Sequence, residues 1–156
     1  MTSATATSAW TDTVAATIAA ERGEGTFLVC FPGYRPELVR ALADRLGYDY
    51  LDFRAASLAP LGWRASALTL DALDQTIGAR AAGGLVLNNA EALLATKPML
   101  ERVAWLGQAV TRTCGAPVLV ALAVFGSEAP ANGLRICRLD ADMLPPEKLL
   151  VRLASQ

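Results

Sequence analysis

Thr26-Phe-Leu-Val-Cys-Phe31, running into Pro32-Gly-Tyr-Arg35 and then Pro36-Glu-Leu38, is the stretch that decides the fold. Thr26–Phe31 is almost wholly apolar, of strand length, and lacks the alternation of a strand with one wet face. Such runs suit a strand buried on both faces, as in a parallel sheet covered by helices. Pro32-Gly33 reads as a turn, and Pro36 suits the first position of a helix, where its missing N–H costs nothing. Leu38, Leu42 and Leu46 recur at fourfold spacing before Gly47, an amphipathic helix with a glycine stop. Strand, turn and helix in that order form the opening half of a βαβ unit.

Working outward, the same alternation continues. Trp10, Val14 and Ile18 predict a helix over residues 9–22, with Ser8 or Thr11 as its cap and a fraying leader, residues 1–8, before it. Tyr48–Phe53 reads as a strand near an edge, and Ala55–Ala67, with Pro60 and Gly62, as irregular chain. Leu70, Leu73 and Ile77 face inward on a helix over Leu68–Ala81, and Leu85–Asn88 is a short apolar strand. Helices are expected at Ala90–Ala95 and Pro98–Thr113, the second with Leu100, Val103, Leu106 and Val110 as its buried stripe. Pro117–Phe125 is the most apolar strand and should be central; Leu134–Leu139 is a fifth. Pro145 and Pro146 open a last helix carrying Leu149, Leu150 and Leu153. Strands alternating with helices predict one domain over residues 1–156, a three-layer α/β/α sandwich around a five-stranded parallel sheet.

Composition narrows the chemistry. At 156 residues and 53% hydrophobic, the chain can bury a full core, which excludes disorder. It contains no histidine, so His general-base catalysis, Ser-His-Asp and Cys-His nucleophile systems and His-containing metal sites are excluded. A net charge of −1 supplies no overall positive field for nucleic acid or an anionic membrane, so direct nucleic-acid contact is not expected. Arg40, Arg45, Arg54 and Arg64 are the residues that could make a local basic face. Cys30, Cys114 and Cys137 form no CxxC pair and, with no basic n-region before an apolar run in Met1–Ala20, predict free thiols in a cytoplasmic protein. No apolar run approaches the ~20 residues of a membrane span. Twelve arginines against Lys97 and Lys148, with abundant alanine, read as the coding bias of a GC-rich bacterial genome.

Ligands of open parallel sheets sit where strands end and helices begin. After the first strand, Gly33, Tyr34 and Arg35 occupy the place of a phosphate-binding loop. A working loop, GxxxxGK[ST], needs glycines for close backbone approach, a lysine and a magnesium-binding hydroxyl. Here one glycine remains, Arg35 stands near the lysine place and Pro36 near the hydroxyl place, and Glu37 sets a negative charge at the helix start. After the third strand, Asn88 stands where a magnesium-ordering acid would, followed by Asn89 and Glu91. Ser127, after the central strand, stands where a polar side chain would sense a γ-phosphate. No residue is assigned a catalytic role and none a metal. Asp71 and Asp74 read as solvated charges, Trp63 and Trp105 as core or interface anchors, and at least one of Arg135 and Arg138 should leave the core.

The stretches LVCFPGYRPELVRALADRLGYDYLDF, GLVLNNAEALLA and LVALAVFG resemble the core of the additional-strand P-loop NTPases, AAA+ proteins among them, over roughly Thr26–Leu139. Within that group the chain is most similar to the small P-loop component of bacterial phage-exclusion (BREX) systems, short chains without a lid domain. The resemblance implies a strand order 5-1-4-3-2. Asn89 and Glu91 keep the family's places, whereas Asn88 and the glycine-lysine loop depart from it. The expectation is therefore a pseudo-ATPase, a structural or regulatory subunit with protein partners in a larger assembly such as an antiphage system. No cofactor is expected, ATP and magnesium being disfavoured. The alternative is a small α/β phosphate- or nucleotide-binding enzyme with Arg35 in place of the lysine, since arginine can hold phosphate bidentately.

Overall fold

A computed structural model describes residues 2–79, 83–112 and 115–146; the side chains of residues 2–8 are not described. The expected helix after Pro146, and Cys114, lie outside these residues.

The elements run α1 (Thr2–Ala20), β1 (Thr26–Cys30), α2 (Pro36–Leu46), β2 (Asp49–Asp52), α3 (Asp71–Gly78), β3 (Leu85–Asn88), α4 (Glu91–Leu94), α5 (Met99–Ala109), β4 (Val118–Leu122) and β5 (Ile136–Arg138). All four strand pairings are parallel, and the sheet runs β2-β3-β4-β1-β5, or β5-β1-β4-β3-β2 read from the other edge. Every residue of β1, β3 and β4 is buried, which is why these three read as continuous apolar runs.

Side-chain alternation along the strands divides the core in two. Leu28 and Cys30 of β1, Leu85 and Leu87 of β3, and Val118, Val120 and Leu122 of β4 pack with Leu73 and Ile77 of α3, Leu93 and Leu94 of α4 and Trp105 and Leu106 of α5. Phe27 and Val29, Val86, and Leu119 and Ala121 point the other way, onto Trp10, Val14 and Ile18 of α1 and Leu38 and Leu42 of α2. Trp10 meets the Phe31 ring edge-on at 5.9 Å. The sheet thus carries helices on both faces. Among the described residues no helix is long and apolar enough to cross a membrane.

Several expectations are corrected. The Ala/Thr-rich start is helical from Thr2, with no break at residue 8, and Thr11 is buried inside α1 instead of capping it. Alanine's high helix propensity favours this, and Thr13 and Thr17 turn their hydroxyls back onto the carbonyls of Ala9 and Thr13. Residues 54–67 are a π turn followed by a 3-10 stretch kinked at Gly62 (φ +58). The stripe expected on α5 is rotated: Leu100 is 79% exposed and Val103 half-exposed, while Trp105, Leu106 and Ala109 are buried. Trp105 fixes that rotation by donating Nε1–H to Asp74 at 2.8 Å. Asp74 also pairs with Arg112, so it is a structural acceptor and not a solvated charge. Trp63, expected as a core or interface anchor, is 88% exposed and is therefore not a core anchor. β5 keeps only three residues of Leu134–Leu139. Arg138 leaves the core, whereas Arg135 is partly covered, donating to Glu21 and to the carbonyls of Val110 and Arg112. Cys30 and Cys137 are both free, on neighbouring strands but opposite faces, because Cys137 pairs in register with Val29.

Candidate functional site

The carboxyl ends of β1, β3 and β4 lie side by side, and the candidate residues hang from them. The turn after β1 enters α2 at Arg35, whose carbonyl accepts the N–H groups of Leu38 and Val39 at 3.0 and 3.2 Å. No side chain caps this end. Glu37 is corrected here: its carboxylate does not sit over the free N–H groups but pairs with the Arg35 guanidinium. Arg35 also donates through Nη2 to the carbonyl of Pro145 at 3.0 Å. The one cation of the degenerate loop is thereby committed within the chain. Tyr34 is 60% exposed.

At the end of β3, Asn88 is buried, donates Nδ2–H to the Tyr50 hydroxyl at 3.0 Å and accepts the Asn89 N–H at 3.0 Å. Asn89 takes a left-handed conformation (φ +62) that asparagine tolerates better than most residues. Its side chain reaches sideways to Asp52 at 2.9 Å, away from the first loop. Glu91 then reaches across to β4: its two oxygens accept the backbone N–H groups of Ala123, Val124 and Phe125 at 2.7, 2.8 and 2.6 Å. Three successive N–H groups converging on one carboxylate form an anion-binding concavity, filled by the chain itself.

Gly33, Tyr34, Arg35, Asn88 and Glu91 are thus brought together, around a space of only about 10 Å³. A single water needs roughly that much. In this arrangement the Glu91 carboxylate and the Arg35 guanidinium both make their contacts within the chain. Asn89 and Ser127 are not part of this group. Ser127 lies in the turn Gly126–Glu128, on a second and wider cleft of about 310 Å³ at the ends of β1, β4 and β5. That turn is tied to α5 by Arg102, which donates to both oxygens of Glu128 at 2.8 and 2.7 Å and lies over the Phe125 ring. The Arg102 hydrogen bonds hold the Glu128 carboxyl below its usual range.

Sequence reasoning left out Arg138, which lines the wider cleft and donates to the carbonyls of Gly126 and Pro130 at 2.8 and 3.0 Å. Its signal was the arginine at the exposed end of an apolar strand, legible as a residue leaving the core but not as one facing a cleft. Compared with known proteins, the chain matches no family model, no curated protein and no solved structure.

Proposed function

We propose that the chain is a catalytically degenerate P-loop NTPase-like subunit, a three-layer sandwich that serves a larger bacterial, cytoplasmic assembly by protein contact, structurally or as a regulator, antiphage defence being one such setting. The observation that carries this reading is the filled phosphate place: about 10 Å³ remains where loop, Asn88 and Glu91 meet. The parallel sheet with β1 between β4 and β5 supports it, since the sheet is kept while the loop lacks the lysine and second glycine of a phosphate cradle. The Arg35-clamp alternative has to work beside the Glu37 carboxylate, with the three guanidinium N–H donors that Glu37 and the Pro145 carbonyl leave.

The test is thermal unfolding with and without Mg²⁺-ATP, beside a turnover assay. A bound nucleotide at a hundred times its dissociation constant adds ~2.7 kcal/mol; the expected result is no shift and no turnover. Restoring activity should take a Gly, a Lys and a Ser or Thr in the loop together with Asn88→Asp, no single change sufficing. ATP turnover by the native chain that collapses on Arg35→Ala would replace this reading with the enzyme alternative.

A further inference from the structure

We propose that the cleft at the ends of β1, β4 and β5 is a binding site for a small monocarboxylate with a short apolar tail, its carboxylate on Arg138 and its tail against Phe31, Pro32, Val124 and Leu139. This does not rest on the subunit reading: Arg138, Val124 and Leu139 line this cleft alone, although Phe31 and Ala123 also line the small space beside Asn88 and Glu91.

Position comes first. From β1 the chain crosses to the β2 edge of the sheet, and from β4 it crosses past β1 to β5. The carboxyl ends of β1 and its neighbours are therefore where connections diverge, the place where open parallel sheets hold ligands. The cleft's volume of about 310 Å³ lies at the small end of the ~300–1,000 Å³ of ligand sites. That admits a carboxylate and a few carbons, not a nucleotide.

Charge and donors then select the ligand. Arg138 is the one charged residue among the described residues lining the cleft, so its cation meets no acid there. Three of its contacts go to the carbonyls of Gly126, Ala129 and Pro130. A guanidinium has five N–H donors; these contacts take Nη1 once and Nη2 twice, which leaves the Nε–H and one Nη1–H to meet a carboxylate by single hydrogen bonds. The cation is felt at the cleft floor: burial pushes the Cys30 thiol up, and Arg138 pulls it partly back. A phosphate would need more donors, yet the successive N–H groups of Ala123, Val124 and Phe125 are spent on Glu91. Glu91 also places its negative charge behind that turn, which opposes a dianion. Apart from Ser127 the remaining side chains of the lining are apolar or cysteine, with Val124 68% exposed and free to cover a tail.

The experiment titrates the full chain with 4-methylpentanoate, 4-methylpentanol and inorganic phosphate, following backbone amide shifts by NMR. Saturable shifts confined to residues 30–33, 123–127 and 138–139 are expected with the carboxylate alone. Arg138→Gln should weaken binding at least tenfold and Arg138→Lys less. Because Arg138 also ties down the 126–130 turn, Val124→Trp provides the second variant: it leaves those carbonyl bonds in place, fills the cleft and should abolish binding with the melting temperature unchanged. Equal shifts with the alcohol, no saturation by 10 mM carboxylate, tighter binding of a leucine-ended peptide, or undiminished binding by the Val124→Trp protein would overturn the proposal.

Discussion

Glu91 spans 32 to 34 positions of sequence to hold the end of β4 by three N–H groups. Hydrogen bonds to a charged group contribute about 1.5–3 kcal/mol each and are not additive. Glu91→Ala should therefore cost roughly 2–4 kcal/mol, and Glu91→Gln, which keeps one acceptor oxygen, less; urea unfolding measures both, and a loss under about 0.5 kcal/mol for the alanine variant would remove the clamp from the account. Nothing in the sequence marks this role, because the partners are backbone groups whose position depends on the finished sheet. Burial pushes the Cys30 and Cys137 thiols up, and Tyr48 likewise. The folded chain then holds these protons longer than the unfolded one. Their contribution is complete below the ordinary cysteine value of about 8.5 and is lost as pH climbs through the folded values. Stability should fall above that pH, and fall less in Cys30→Ala; an identical alkaline slope in the two proteins would contradict the assignment.

Among the elements, the buried strands were legible because two-sided burial leaves no choice of residue type, and β3 begins and ends at the expected residues, Leu85 and Asn88. Helix α5 was not. Met99–Ala109 is apolar on more than one side, so periodicity alone allows two rotations, and the Trp105–Asp74 bond to a different helix selects one. The rotation has a measurable contrast. Leu106→Ala should cost about 2–5 kcal/mol as a core truncation, whereas Leu100→Ser should stay within roughly 0.5 kcal/mol as a surface change; comparable losses would restore the original stripe. At the start of β3, a Cβ on Gly84 would come within 2.4 Å of the Tyr48 ring. Gly84→Ala should cost about 1–3 kcal/mol by overpacking, and Tyr48→Ala in the same chain should recover part of it, a coupling that a double-mutant cycle in urea reads directly.

For the whole molecule, the alternation of strands and helices and the central place of the fourth strand followed from apolar runs and their spacing, whereas the place of the first strand came from the P-loop resemblance. The candidate site was half legible: residue types showed that the glycine-lysine pattern of a phosphate loop was missing, but not that Arg35 would turn to Pro145 or that the open cleft would lie one strand over, beside Arg138. Opposite-face placement of Cys30 and Cys137 was equally hidden, being a matter of register by one residue. Thiol titration of denatured, unreduced protein should count three free groups, and a count of one would contradict the reduced state. The position of β1 also governs how the chain is made. Its two neighbours, β4 and β5, are both synthesised last, β4 about ninety residues after its partner. At roughly 5–20 residues per second on the ribosome, β1 waits on the order of 5–20 s with both of its hydrogen-bonding edges open. A nascent chain stalled after Ala109 should therefore be held by chaperones or aggregate, and one stalled beyond β5 should be released folded.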